Sequence, residues 1–444
     1  MTELVQGPAT AADLLIRDVH VVDPREGIDA RHDVRVREGK IAEIGEAGAL
    51  EADTAEIVDG KGRHLLPGFV DPHVHLRVPG QEHKEDLDTG TRAAAAGGFV
   101  AILAMPNTDP VVDNAPILRS LRDAAAREAR IPVGFTAAIT RGLHGEELTE
   151  MGELRVEGAV GFTDDGRPVV SAGMLRKALQ YQRLAGGVLA LHEEDPSLSG
   201  RGCMHEGEVS ALLGVAGIPS ISESTMIARD AAIAGYENGR IHIQHLSAVE
   251  SIEAIRAAKA QGIKITCEAS PHHLLLTHDD VRTLDTSFKM NPPLRTEADR
   301  VALVDALRDG TIDCVATDHA PHARDEKEVP FEQAPMGVTG LETSFAVLHT
   351  ELVRPGVLTL DTLILRMTEG AALFDLPVPR IVKGGPANLA LADLDAVWIA
   401  GEHGWESRSD NSSFTGRRMQ GRVVMTVAAG AVAFRERAFT VVGK

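Results

Sequence analysis

The chain has 444 residues, 43% of them hydrophobic, 25% charged and only 3% aromatic, with a formal net charge of −20. That length suits one large α/β barrel plus an accessory domain, with a core built mostly of Ala, Val, Leu and Ile. The acidic balance argues against nucleic acid or an anionic membrane surface as a partner.

The three cysteines, Cys203, Cys267 and Cys314, form no CxxC and are odd in number. They predict no disulfide framework and point to a reducing cytoplasm. The opening MTELVQGPATAADLL lacks a basic stretch followed by an apolar one, so no signal peptide is expected. No apolar run approaches the ~18 residues of a membrane span.

In chain order, DLLIRDVHVV (13–22) reads as a strand and DVRVREGKIAEIG (33–45) as a hairpin turning at EGK. IVDGKGRHLLPG (57–68) carries further turn signals. Residues 1–64 are therefore expected to form part of a small β unit. From residue 65 short apolar runs alternate with Ala-rich helical stretches. Eight runs are found, at 65–75, 98–105, 131–139, 158–165, 186–194, 239–247, 262–270 and 311–319. Helices are predicted between them, for example over 114–129, 171–185, 249–260 and 298–309. The pattern predicts an α/β fold, a (β/α)8 barrel over 65–375. Strand-like pieces return in ANLALADL, GRVVMTVAAG and AVAFRERAF. Residues 376–444 are thus expected to pair with 1–64 in one composite domain.

Barrel enzymes place their chemistry at the C-terminal ends of the strands. His73 and His75 end the first run, and residues two apart on a strand share a face, so both imidazoles can reach one ion. Spacing alone is weak: with 18 histidines in 444 residues, about 0.7 HxH pairs arise by chance, and a solvated strand end reads the same way. Asp164 and Asp165 end the fourth run, where DDG also suits a plain turn. His192 ends the fifth run and His245 the sixth. His242 faces away from His245 along the strand and is read as packing or surface. Asp318 ends the eighth run. His or Asp at five of eight strand ends predicts a metal site, with Zn2+ the best match to such ligands.

Together with DPHVHLR (71–77), MPNT (105–108), GFTDDGRP (161–168), MHEG (204–207), SPHHLLLT (270–277), NPPLR (291–295), TDHAPH (317–322) and APMGVTGLET (334–343), the sequence resembles the dihydroorotases. The resemblance is to the longer, bacterial type of that family within the amidohydrolase superfamily, and it runs along nearly the whole chain. It implies a (β/α)8 barrel with a small β-sandwich built from both termini. It implies His73, His75, Asp165, His192, His245 and Asp318 as ligands of one or two zinc ions, with Asp165 chosen over Asp164 by its distance from the HxH. Asp318 is implied as the catalytic base. His75, Arg77, Asn107, Asn291 and His322 are implied to bind substrate, with backbone at Met336 and Gly337 lining the pocket.

The implied reaction is the reversible cyclisation of N-carbamoyl-L-aspartate to L-dihydroorotate in pyrimidine synthesis. Departures from the family pattern are Val78, Glu193 and Met336, where Glu, Cys and Phe are usual. Many relatives bridge two ions with a carboxylated lysine. No lysine lies between Lys84 and Lys177, so Asp165 must take that place. This weighs against a hydantoinase, dihydropyrimidinase or allantoinase, the alternative enzyme reading. A non-catalytic homologue partnering aspartate transcarbamoylase would have lost ligands, and none is lost. Association with that enzyme, or into homo-oligomers, is left open by the sequence. His272 and His273 are read as structural. The polar segment 319–337 reads equally well as a closing loop or a solvated one.

Overall fold

The protein is described by a computed structural model covering residues 3–436. Eight parallel strands form the barrel: Phe69–Val74, Phe99–Ala104, Val133–Phe135, Phe162–Thr163, Leu189–Leu191, Arg240–Ile243, Lys264–Ala269 and Cys314–Val315. The first three make one sheet and the last five another. Single parallel bridges, Ala137 to Phe162 and Val74 to His319, join the two sheets and close the ring. Each strand falls inside one of the eight apolar runs. Their side chains are almost wholly buried, as expected of parallel strands covered by helices.

Three of the predicted helices begin where polar caps stand. Asn114 caps Ala115–Glu128, Ser171 caps Ala172–Ala185, and Thr296 with Asp299 forms a capping box on Glu297–Asp309. Val249–Ala260 covers the remaining helix predicted above.

Both termini build the second domain, a β-sandwich around its own apolar core. Its strands run, edge to edge, Ala431–Arg435, Arg418–Ala428, Leu389–Ile399, His64–Pro67, Leu14–Asp23, Ile28–Arg37 and Lys40–Glu46, while Glu56–Asp59 also pairs with Leu14–Asp23. Residues such as Ile16, Val21, Val34, Leu65, Leu389 and Val427 fill that core. The hairpin turns at Glu38 and Gly39, both with positive φ (51° and 76°), which matches the twist of the flanking strands. The first apolar run is divided between the two domains. His64–Pro67 pairs with Leu14–Asp23 and Leu389–Ile399, and the barrel starts only at Phe69. Of AVAFRERAF, the last three residues lie outside the described range. Among the described residues no helix is long and apolar enough to cross a membrane, and the three cysteines are free and buried.

Glu342 joins the domains by accepting the backbone N–H groups of Glu406 and Ser407, at 3.0 and 3.1 Å. Burial pushes its carboxyl up to about 7. A carboxyl raised in the folded state costs stability as pH rises from about 4.5 through 7. Glu342→Gln keeps an acceptor and removes that cost. Its melting temperature relative to the parent is therefore expected to be higher at about pH 8 than at about pH 5. An unchanged difference would refute the ionisation.

Candidate metal and substrate site

His73 sits near the end of the first barrel strand, and His75 follows it on the same face. Asp165, His192, His245 and Asp318 stand just beyond the fourth, fifth, sixth and eighth strands. All six are buried. His73 Nε2 lies 3.3 Å from Asp165 Oδ1 and 3.4 Å from Asp318 Oδ1. His75 Nε2 lies 3.5 Å from Asp165 Oδ2 and 3.1 Å from Asp318 Oδ1. On the far side of Asp165, His192 Nδ1 and His245 Nε2 are each 3.9 Å from its Oδ1 and 2.9 Å from one another. Asp165 thus stands between two pairs of imidazole nitrogens.

Three of the four outward ring nitrogens meet acceptors, while His245 Nδ1 is buried without a partner. His73 Nδ1 meets Glu268 Oε1 at 2.6 Å, His75 Nδ1 meets Asn107 Oδ1 at 3.0 Å, and His192 Nε2 meets Glu194 Oε2 at 3.4 Å. An acceptor there keeps the proton outside and leaves a lone pair pointing inward. The inward His73 Nε2 is buried with no hydrogen-bond partner. Two groups, His73–His75–Asp165 and Asp165–His192–His245, can each hold an ion. Four nitrogens with carboxylates between them fit a borderline divalent cation such as zinc.

The electrostatics agree. Burial lowers the affinity of His73 for a proton, but Asp165, Glu268 and Asp318 outweigh it and raise that affinity well above normal. Burial raises the Asp165 and Asp318 carboxyls, yet the surrounding histidines hold both below the usual range. Burial and then the neighbouring His192 push His245 down to about 3. Backbone strain gathers here too: Arg77, His245 and Asp318 have φ of 60°, 29° and 47°.

Asp164 is occupied elsewhere. It accepts the N–H groups of Ile139 and Thr140 at 2.8 and 2.9 Å and the Thr140 hydroxyl, so it ties down the loop after the third strand.

The residues expected at substrate fall into three places. Arg77, His322, Met336 and Gly337 cluster on the loops after the first and eighth strands. Arg77 Nε donates to Pro321 O at 3.0 Å, and its Nη2 lies 3.3 Å from His322 Nε2. His322 Nε2 also lies 2.9 Å from Met336 O. Gly337 N donates to Lys289 O at 2.9 Å. Its φ of 127° and a Cβ position 2.7 Å from Ala320 Cβ leave room only for glycine. Asn291 lies across the mouth, donating to Glu194 Oε2 at 2.6 Å. Asn107 also bonds two of the ligands: its Oδ1 accepts from His75 Nδ1 at 3.0 Å and its Nδ2 donates to Asp165 Oδ2 at 3.2 Å.

Four residues that hold this arrangement were not singled out from the sequence as its supports. Glu268 bonds His73, His242 Nε2 (3.0 Å) and the backbone N–H of His245 (3.3 Å). His242 is therefore neither surface nor plain packing, because its other nitrogen meets Thr266 Oγ1 at 2.9 Å. Asp71 accepts the Thr317 hydroxyl at 2.5 Å and the His73 N–H at 3.1 Å, linking the first strand to the eighth beneath the site. Glu194 couples His192 to Asn291. The available signal was a charge inside an apolar strand, as in KITCEA (264–269), since a buried charge requires partners. His273, bonded to Ser270 Oγ at 2.7 Å and Pro292 O at 2.9 Å, is structural.

A barrel with a two-terminus β-sandwich and a rim of histidines and carboxylates defines the amidohydrolase class. The L-hydantoinase (dihydropyrimidinase) from Arthrobacter aurescens matches with a TM-score of 0.85 and 25% identity over 97% of this chain and 98% of that one. A D-hydantoinase structure matches with a TM-score of 0.82 and 24% identity over 97% and 96%. A family model described as dihydro-orotase-like matches residues 62–251. The dihydroorotase of Anaeromyxobacter dehalogenans is 47% identical over 95% of this chain and 98% of its own, and that of Pelotomaculum thermopropionicum is 43% identical over 96% and 99%. The chain belongs to the dihydroorotase family.

Proposed function

We propose that this protein is a cytoplasmic, zinc-dependent dihydroorotase. It interconverts N-carbamoyl-L-aspartate and L-dihydroorotate in de novo pyrimidine (UMP) biosynthesis. The observation that carries this reading is the convergence of four inward imidazole nitrogens on Asp165, with Asp318 on one side and Arg77 nearby. His73, His75, Asp165, His192, His245 and Asp318 would hold the metal. When bound, zinc supplies Lewis acidity, lowering the pKa of water toward about 7 and polarising a carbonyl.

The chain's own residues do the rest. Asp318 is ionised at neutral pH and takes the proton of the water that attacks the ring amide carbonyl. As the C–N bond breaks, Asp318 returns that proton to the leaving nitrogen. Synthesis runs the same steps in reverse. Arg77 offers a planar guanidinium to the substrate carboxylate. Its burial lowers its proton affinity only to about 10, so it stays charged.

The direct test is to strip and restore zinc and to follow dihydroorotate hydrolysis at mildly alkaline pH. Activity that ignores the metal, or that favours hydantoin over dihydroorotate, sinks the reading. Arg77→Met is expected to raise KM about 10–100-fold, the worth of a lost charge-assisted hydrogen bond. Wild-type KM in that variant would place the carboxylate elsewhere. Metal loading near neutral pH is also expected to release protons, because carboxylates raise the proton affinity of His73 in the empty protein. Calorimetric titration of the metal in buffers of different ionisation enthalpy reads this. Identical apparent enthalpies would exclude it.

A further inference from the structure

The segment 407–413 belongs to the C-terminal part of the β-sandwich, yet it lies across loops of the barrel mouth. Its side chains alternate: Ser407, Ser409 and Asn411 are buried, while Arg408 and Asp410 face outward. Ser407 and Ser409 hold residues 84–85, and Asn411 holds the loop after the eighth barrel strand. The Ser407 hydroxyl bonds Glu85, and Ser409 Oγ donates to Lys84 O at 2.6 Å. Further on, Ser413 Oγ donates to Ser287 O at 2.6 Å. Asn411 is the most engaged. Its Nδ2 donates to Ala320 O at 3.3 Å and Gly337 O at 3.1 Å, and its Oδ1 accepts the His322 N–H at 3.1 Å. Its own carbonyl accepts the Thr339 N–H at 3.1 Å.

These bonds close the loop 319–338 at both of its ends. Lys289 and Lys327 fasten the middle. Lys289 Nζ donates to Phe331 O at 2.7 Å and Lys327 Nζ to Pro335 O at 3.0 Å, both from buried positions. The loop carries His322, Met336 and Gly337 and touches Arg77 through Pro321 O.

We infer that the strap 407–413 is part of the catalytic apparatus, and that Asn411 is a positioning residue that sets His322 and Gly337 against the substrate. The inference rests on the function proposed above. It gives the β-sandwich a task beyond stability, since one of its own residues fixes a loop of the pocket.

The experiment uses the full-length, zinc-loaded protein and the variant Asn411→Ala. KM for dihydroorotate is expected to rise about tenfold, the loss of one to two hydrogen bonds, with a smaller fall in kcat and unchanged metal content. Hydrogen exchange should quicken across 319–338 and stay unchanged in the barrel strands. Wild-type KM together with wild-type exchange overturns the inference. So does an equal loss in kcat and kcat/KM that follows metal loss. Should Asn411→Ala fail to fold, Asn411→Asp keeps the acceptor for His322 and removes the two donors, and it is read in the same way. A wild-type protein inactive on dihydroorotate would defeat the proposed function instead, and the exchange measurement would still judge the strap.

Discussion

Asp318→Asn is expected to fold, to keep at least part of its metal and to lower kcat roughly 10²–10⁴-fold, the usual worth of a positioned general base. The substitution preserves shape and one acceptor oxygen, so His75 Nε2, 3.1 Å from Oδ1, keeps a neighbour. What it removes is the capacity to carry a proton. Since the same group is assigned both to accept the water's proton and to deliver it to nitrogen, both directions should fall together. Steady-state rates for hydrolysis and cyclisation, with metal content measured on the same samples, decide it. Near-normal turnover would move the base elsewhere.

The second large effect is expected at Glu268. This carboxylate receives His73 Nδ1, His242 Nε2 and the His245 N–H, so it steadies a ligand from each half of the site. Although burial opposes ionisation, His73 and His242 hold its carboxyl at about 2. Glu268→Gln offers one acceptor where two are used, and its amide N–H confronts a ring nitrogen. One imidazole must then turn or change tautomer. Metal affinity is expected to fall about 10–100-fold, the usual consequence of losing such a partner. Competition with a chelator reads it, and the visible spectrum of the cobalt-substituted protein should shift. Unaltered affinity and spectrum would reduce Glu268 to packing.

The barrel was legible because strand and helix periods differ and because the mouth residues sit at strand ends. His73, His75, Asp165, His192, His245 and Asp318 could be gathered from sequence by that rule and by family resemblance. Their supports could not. Glu268 meets His73 across 195 positions, and Asp71 meets Thr317 across 246. No local period encodes such pairs. The motif at Asn107 marks it for substrate, and the folded chain adds bonds to His75 and Asp165 that the motif does not show. Asn411 lies in an irregular stretch whose meaning depends entirely on where the sandwich sits.

The shared sheet also bears on how the polypeptide is made. His64–Pro67 lies between Leu14–Asp23 and Leu389–Ile399. During synthesis the early strands emerge first, and one side of His64–Pro67 stays unpaired until more than 300 further residues have left the ribosome. An open strand edge invites pairing with other chains, and contacts this distant in sequence form slowly. The nascent protein therefore passes through a long interval in which this strand edge waits for a partner encoded far downstream.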